Sequence, residues 1–460
     1  MSSALSPEQW LALDVAGIGH AYRQRLGTPV DMVLALRAAI ESDRRGINAF
    51  CLLDWDSALS TARDIAQRMA SGVFLGPLDG VPVSIKDLVN VEGWPTRRGS
   101  LADGEPAAAD APIVEHLRKA GAILFGKTTT TEFGWTVLSE SPQSGVTRNP
   151  LDPERSAGGS SCGAAAQVAA GWGPLALGSD AGGSVRIPAA YCGLVGFKPT
   201  YGALPMPPSS AFTEFAHLGF LARRVADCQL AMEVAGVPDP RDQASLFPRR
   251  PHEDENRPLR IASALKLGAK QSVDPGMEAA FGQAIARLEA GGQTVEPVDP
   301  GLEDLSDAMW TIWCFQVYES FQSWPRARRD RLGEGLQRVY RTGEVLTLAQ
   351  VAAGRTRLRE ASASLARLFS RFDILLTPAV PGVAPLAGHY LEHEPGLGDN
   401  WFAMNGYAFP FNITHQPALS LPMGQDARGL PYGLQAVARK YHDGLLLQWG
   451  RNFERALGVS

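Results

Sequence analysis

Residues 157–202 read AGGSSCGAAAQVAAGWGPLALGSDAGGSVRIPAAYCGLVGFKPTYG. Two serines stand out, each after a glycine pair: Ser160 follows Gly158-Gly159 and Ser184 follows Gly182-Gly183. Paired glycines let the backbone approach a substrate closely and adopt conformations closed to other residues. Between the serines, Ser160 and Ser161 are N-cap residue types. CGAAAQVAA is a small, helix-competent run that Gly171 can end. Pro174 to Gly178 reads as a short buried strand. It leads into Ser179-Asp180-Ala181-Gly182-Gly183-Ser184, a turn whose backbone N–H groups can converge on an anion or a developing oxyanion.

The rest of the chain bounds what such a site serves. At 460 residues it exceeds one minimal core and predicts a large domain or two or three subdomains. A net charge of −5 argues against nucleic acid as the main partner. The five cysteines are scattered, without a CxxC or a Cys/His metal spacing, which reads as free thiols in a reducing compartment. The N-terminus lacks a signal pattern, and no apolar run has membrane-spanning length. The expectation is a cytoplasmic enzyme that does not enter a membrane.

Outward from the central stretch, residues 1–75 read as a helical packing layer. Thr28-Pro29-Val30-Asp31 opens one helix with a capping hydroxyl, a first-turn proline and an acid. A second helix runs from about Asp56 to Ala70. Residues 76–237 form the expected catalytic core: Val81, Val83 and Ile85 alternate as a strand ending at Lys86, and 111–127 read as an amphipathic helix and a strand. His217 to Leu221 is expected to open a helix containing Val225 to Asp227. Residues 238–258, rich in proline and charge, read as a linker. Residues 259–378 read as a smaller α/β and helical subdomain, with strands at 259–262, 293–298 and 372–378. Its aromatics, Trp310 to Trp324, are expected in the core. Residues 379–460 return to the core sheet through a loop at 385–406, strands at 412–423 and 430–438, and a last helix.

A lone lysine is usually solvated, but in apolar surroundings it loses its proton near neutral pH and can act as a base. GPLDGVPVSIKD around Lys86, GGSS at Ser160 and GSDAGGSVRIPAAYCGLVGFKPTYG around Ser184, in that order, resemble the amidase signature family over nearly the whole chain. That resemblance implies an α/β fold with a central mixed sheet flanked by helices on both faces. It implies Ser184 as nucleophile, Ser160 on a cis peptide as the bridging serine, and Lys86 as base. It also implies backbone donors at Ala181, Gly182, Gly183 and Ser184, and no metal or organic cofactor. A serine hydroxyl needs a neighbour to take its proton, and none of the eight histidines sits in a hydrolase motif.

Asp180 and Arg186 flank Ser184. They read as an ion pair bracing the turn, or Arg186 holds an anionic substrate. Cys162 and His415 stand where the family usually has glycine, the first as a core filler, the second as a pocket or loop residue. Phe220 stands where proline is common. Trp94, Phe133 and Trp135 in candidate pocket loops point to small amides with an apolar or aryl part; carbamates (urethanes) and esters stay open. The alternative is the glutaminase component of a transfer-RNA-dependent amidotransferase. A phosphate-binding module is disfavoured because no GxxxxGK[ST] run is present. The expected partner is a small molecule, and the chain a monomer or homodimer.

Overall fold

The computed structural model describes residues 4–206, 210–246, 258–268, 273–388, 400–403 and 405–457. Among them, eleven strands form one mixed sheet: β1 (Phe50–Leu53), β2 (Pro82–Lys86), β3 (Ile123–Thr128), β4 (Leu175–Asp180), β5 (Val195–Lys198), β6 (His217–Ala222), β7 (Ile261–Ser263), β8 (Val295–Pro297), β9 (Ile374–Pro378), β10 (Ala418–Gln425) and β11 (Pro431–Ala438). Their spatial order is β1-β3-β2-β4-β6-β5-β10-β11-β9-β7-β8. β2 runs parallel to both β3 and β4, and β7 parallel to both β8 and β9; the remaining pairs are antiparallel.

Strand alternation explains why both faces are covered. Successive side chains point to opposite faces of a sheet. In β4, Leu175 and Leu177 join one core cluster while Ala176 joins the other; in β3, Leu124 joins the first and Ile123 and Phe125 the second. The first cluster takes in the helices Pro112–Lys119 and Val225–Ala235. The second takes in Pro29–Ser42, Trp55–Ala70 and Cys162–Ala169. Strands buried on both faces read as near-continuous apolar runs, as these do. Thr28 caps its helix in a capping box with Asp31, as the sequence signals.

Several expectations are corrected. The N-terminal layer is not purely helical, since Phe50–Leu53 is an edge strand pairing with β3. Its four half-buried residues carry no alternation to betray them. His217 to Leu221 does not open a helix: it is β6, between β4 and β5, and the helix begins at Val225. A short apolar run buried on both sides fits either element by periodicity. Within the strand Gly219 leaves room for its neighbour, since a Cβ there would lie 2.4 Å from the Phe197 carbonyl oxygen of β5. Residues 412–423 are also not one strand; Pro410–Ile413 is a helical turn, and β10 starts at Ala418. The proposed linker contains a 3-10 turn at Gln243–Leu246, and its residues 247–257 lie outside the described residues. So do 389–399 and 404 of the expected loop at 385–406.

Strands β7, β8 and β9 extend the same sheet through the β9–β11 pairing. Among the described residues no helix is long and apolar enough to cross a membrane.

Candidate active site

Lys86 ends β2, whose position between β3 and β4 carries the side chain into the interior. Its Nζ lies 2.7 Å from Ser160 Oγ, 2.8 Å from Ser161 Oγ, 3.0 Å from Ser179 Oγ and 3.3 Å from the Ser179 carbonyl oxygen. These partners differ in what they offer. The Ser161 hydroxyl donates to the Ser179 carbonyl at 3.1 Å, so towards Lys86 it accepts. The Ser179 carbonyl only accepts. A neutral amine can thus donate its two hydrogens to Ser161 and Ser179 and turn its lone pair to the Ser160 hydroxyl. Burial pushes the Lys86 pKa down to about 7, against the opposing pull of Cys162 and Asp180.

Ser160 arrives by a strained approach that only glycine permits. Gly158 has φ +76°, and a Cβ on Gly159 would meet the Leu138 carbonyl oxygen at 2.0 Å. The Gly159–Ser160 peptide is cis, as the resemblance implies. The Ser161 N–H donates to the Ser184 carbonyl at 3.2 Å, which holds the two serine segments side by side. Ser160 and Ser184 are both buried.

Asp180 and Arg186 organise the turn between β4 and the helix Arg186–Tyr191. Asp180 accepts from the N–H groups of Gly183 (2.7 Å), Val185 (3.1 Å) and Arg186 (3.4 Å). Arg186 Nε and Nη2 each donate to it at 2.9 Å. Nη2 also reaches Asn412 Oδ1 at 2.7 Å, and Nη1 reaches the Ala408 carbonyl at 2.8 Å and Gln435 Oε1 at 2.6 Å. A guanidinium has five N–H donors, and all five are used. Arg186 therefore braces the turn and has no hydrogen left for an anionic substrate. Burial alone would raise the Asp180 pKa; the charge and hydrogen bonds of Arg186, with Lys198 and Asn412, outweigh it and hold the carboxyl well below its usual range.

The same bonds correct the donor set. The Gly183 N–H faces Asp180, not the outside of the turn. Among the described residues, no hydrogen bond engages the N–H groups of Ala181, Gly182 or Ser184, so three donors remain where four were expected. Trp401 and Phe402 pack on Gly182, where a Cβ would lie 2.7 Å and 3.1 Å from their rings.

Next to Ser179 lies a cavity lined mainly by apolar side chains, including Leu88, Val89, Phe133, Met206 and Leu218, with Arg98 in its wall. Phe133 is backed by Phe321 and Trp324, with ring centroids 4.9 and 5.8 Å away. Trp135 does not line this cavity; its carbonyl accepts from the indoles of Trp313 (3.1 Å) and Trp401 (2.9 Å). Trp94 is elsewhere, donating to Asp54 at 2.8 Å. His415 packs on Tyr201 with centroids 4.5 Å apart, outside this cavity; its φ of +63° explains the usual glycine. Cys162 begins a helix in the second core cluster, 3.8 Å from Thr129 Oγ1, and burial raises its thiol pKa.

Sequence reasoning missed four participants. Ser161 sits at the N-cap position, but its side chain does not cap the helix; it serves Lys86. Ser179 reads as no more than part of the strand and turn. Asn412 and Gln435 come from distant segments and carry no local signal beyond being polar within apolar runs.

The Amidase family model matches residues 31–447. The chain belongs to the amidase family. This amidase is 33% identical over 446 residues to an acylamidase of Rhodococcus erythropolis, covering 93% of this chain and 92% of that protein. It is 31% identical to one component of the glutamyl-tRNA(Gln) amidotransferase of Lachnospira eligens, covering 97% of this chain and 99% of that protein. Among solved structures, a bacterial aryl acylamidase superposes with TM-score 0.87 at 26% identity over 98% of this chain and 97% of that one. A 6-aminohexanoate cyclic dimer hydrolase with bound substrate superposes with TM-score 0.86 at 28% identity, over 97% of each. The amidase acts on C–N amide bonds.

Proposed function

We propose that the chain hydrolyses small acyl amides with an apolar or aryl part, using Ser184 as nucleophile, Ser160 as relay and Lys86 as base. The observation that carries this is the buried Lys86 amine, 2.7 Å from Ser160 Oγ, with its pKa brought near neutrality. Lys86 takes the Ser160 proton as Ser160 takes that of Ser184. The Ser184 oxygen attacks the carbonyl carbon. The resulting oxyanion is met by the free N–H groups of the turn, Ala181 and Gly182 foremost. On collapse the C–N bond breaks, and the amine leaves with a proton returned through Ser160. Water then attacks the acyl carbon, giving its proton through Ser160 to Lys86; the C–O bond to Ser184 breaks, the carboxylic acid leaves and the proton returns to Ser184. The apolar cavity beside Ser179 suits a hydrocarbon or aryl group.

The test is a panel of p-nitroanilides, aryl carbamates, aryl esters and glutamine with the purified chain. Anilide turnover, with a fluorophosphonate adduct on Ser184, is the expected result; an adduct on Ser160 or Ser161 would reverse the roles. A second reading is a glutaminase that works with a partner chain. Similarity to the amidotransferase component favours it, as does the Arg98 cation in the cavity wall. Glutamine hydrolysis without anilide turnover would establish it instead.

A further inference from the structure

Beside the cavity next to Ser179 is a second one, lined by residues that include Tyr201, Thr213, His217 and Asp242. Met206 and Leu218 line both, so the two adjoin. The second cavity has a one-sided hydrogen-bonding character. The Thr200 hydroxyl donates to Asp443 at 2.6 Å, the Tyr201 hydroxyl to the Thr213 carbonyl at 3.0 Å, and the Thr213 hydroxyl to the Ser210 carbonyl at 2.7 Å. Each side-chain hydroxyl hydrogen in the lining is thus already spent.

The remaining side-chain capacity is for accepting. Nδ1 of His217 lies 2.6 Å from the Phe215 carbonyl, which can only accept, so Nδ1 carries the proton. Nε2 of the neutral ring is then an acceptor. It is buried and has no partner, in a residue only 3% exposed. A buried polar atom left unpaired is costly, and such an exception calls for a function. Asp242 accepts from the Met206 and Ala244 N–H groups at 2.9 Å each and keeps lone pairs to spare. Burial holds the Lys198 pKa well below the ordinary lysine range, and its amine is engaged by the Pro199 carbonyl at 3.2 Å and by the Gln416 carbonyl.

We propose that this second cavity is a subsite for a protonated primary amine at the far end of an acyl chain that enters through the cavity beside Ser179. An ammonium brings three donors and a positive charge to a cavity of acceptors that contains a carboxylate. The hydrocarbon between amine and scissile carbonyl lies in the apolar cavity beside Ser179. Preferred substrates are amides of ω-amino acids. The subsite deepens the hydrolase reading and rests on it for the scissile end alone.

Two measurements test it. With Ser184→Ala protein, calorimetry compares hexylamine, which donates, with hexanoate, which only accepts. With unmodified protein, kcat/KM compares the p-nitroanilides of ω-aminohexanoic and heptanoic acids, which differ by an ammonium in place of a methyl. In both, a preference for the amine of roughly tenfold or more is expected. His217→Phe and Asp242→Asn, each read as the ratio within one protein, should bring it to about twofold or less. Equal or better binding of hexanoate overturns the proposal, as does a preference that survives both substitutions. Should His217→Phe not fold, Asp242→Asn decides. Absence of all anilide turnover refutes the hydrolase reading, and the binding comparison still decides the subsite.

Discussion

Arg186 and Asp180 close the turn that carries Ser184 with two side-chain hydrogen bonds of 2.9 Å, and neither residue touches solvent. Lysine can keep the charge but not the fork, because an ammonium offers three donors from one point. Arg186→Lys is expected to lower stability by ~3 kcal/mol and to reduce kcat more than it raises KM. Thermal denaturation and steady-state kinetics on one anilide check both.

In the proposed reaction Ser184 Oγ is the attacking atom. Ser184→Ala should lower kcat by at least ~1,000-fold with an unchanged far-ultraviolet circular dichroism spectrum. Lys86→Ala should cause a loss of similar size, and the double variant little more, since members of one proton relay act as a unit. Additive losses in the double variant would separate the two residues.

Lys86 titrates near pH 7 where a free lysine titrates near 10.5, and only the neutral amine accepts a proton. The rate kcat/KM should therefore rise with pH up to about 7 and level off above it, about tenfold per pH unit on the acid limb. A pH-rate profile on an uncharged anilide checks this. A flat profile from pH 5 to 9 (approximate limits) would exclude Lys86 as the base.

Asp227 accepts the Val15 N–H at 2.9 Å through Oδ1, while its buried Oδ2 has no partner. Burial raises its pKa from 3.8 to about 7. A carboxyl with a raised folded-state pKa supports the fold below its unfolded value and loses that support as pH climbs through 7. Asp227→Asn should accordingly raise the unfolding free energy at pH 8, by on the order of 1 kcal/mol, and change it little near pH 4, as denaturant titration at both pH values checks.

A Cβ on Gly182 would press on Trp401 and Phe402. Gly182→Ala should cost about 1–3 kcal/mol in stability and reduce turnover at least tenfold, because the ring contact is relieved by shifting the donor turn. Trp401→Ala on that background should restore part of the activity.

How much of this was legible follows from where each signal lies. Glycines that admit no Cβ write themselves into the chain, so Gly158, Gly159 and Gly182 announced the two serine turns. The Lys86 strand was visible because Val81, Val83 and Ile85 alternate in residue type, although all five residues of the strand are buried. Phe50–Leu53 was hidden, being short and half-buried at a sheet edge. His217–Ala222 was misread because burial on both faces erases the period that separates strand from helix. The direction of the Gly183 N–H and the partners of Arg186 depend on Asp180, Asn412 and Gln435 meeting in space, which local sequence does not encode.

β11 lies inside the sheet, between β10 and β9, and its Gln435 and the upstream Asn412 complete the shell around Arg186. A nascent polypeptide that has emerged only as far as residue 400 already contains Lys86, Ser160 and Ser184, yet its guanidinium lacks three of its acceptors: Asn412, Gln435 and the Ala408 carbonyl. Synthesis thus delivers Lys86, Ser160 and Ser184 before the segments that fasten the turn beside them.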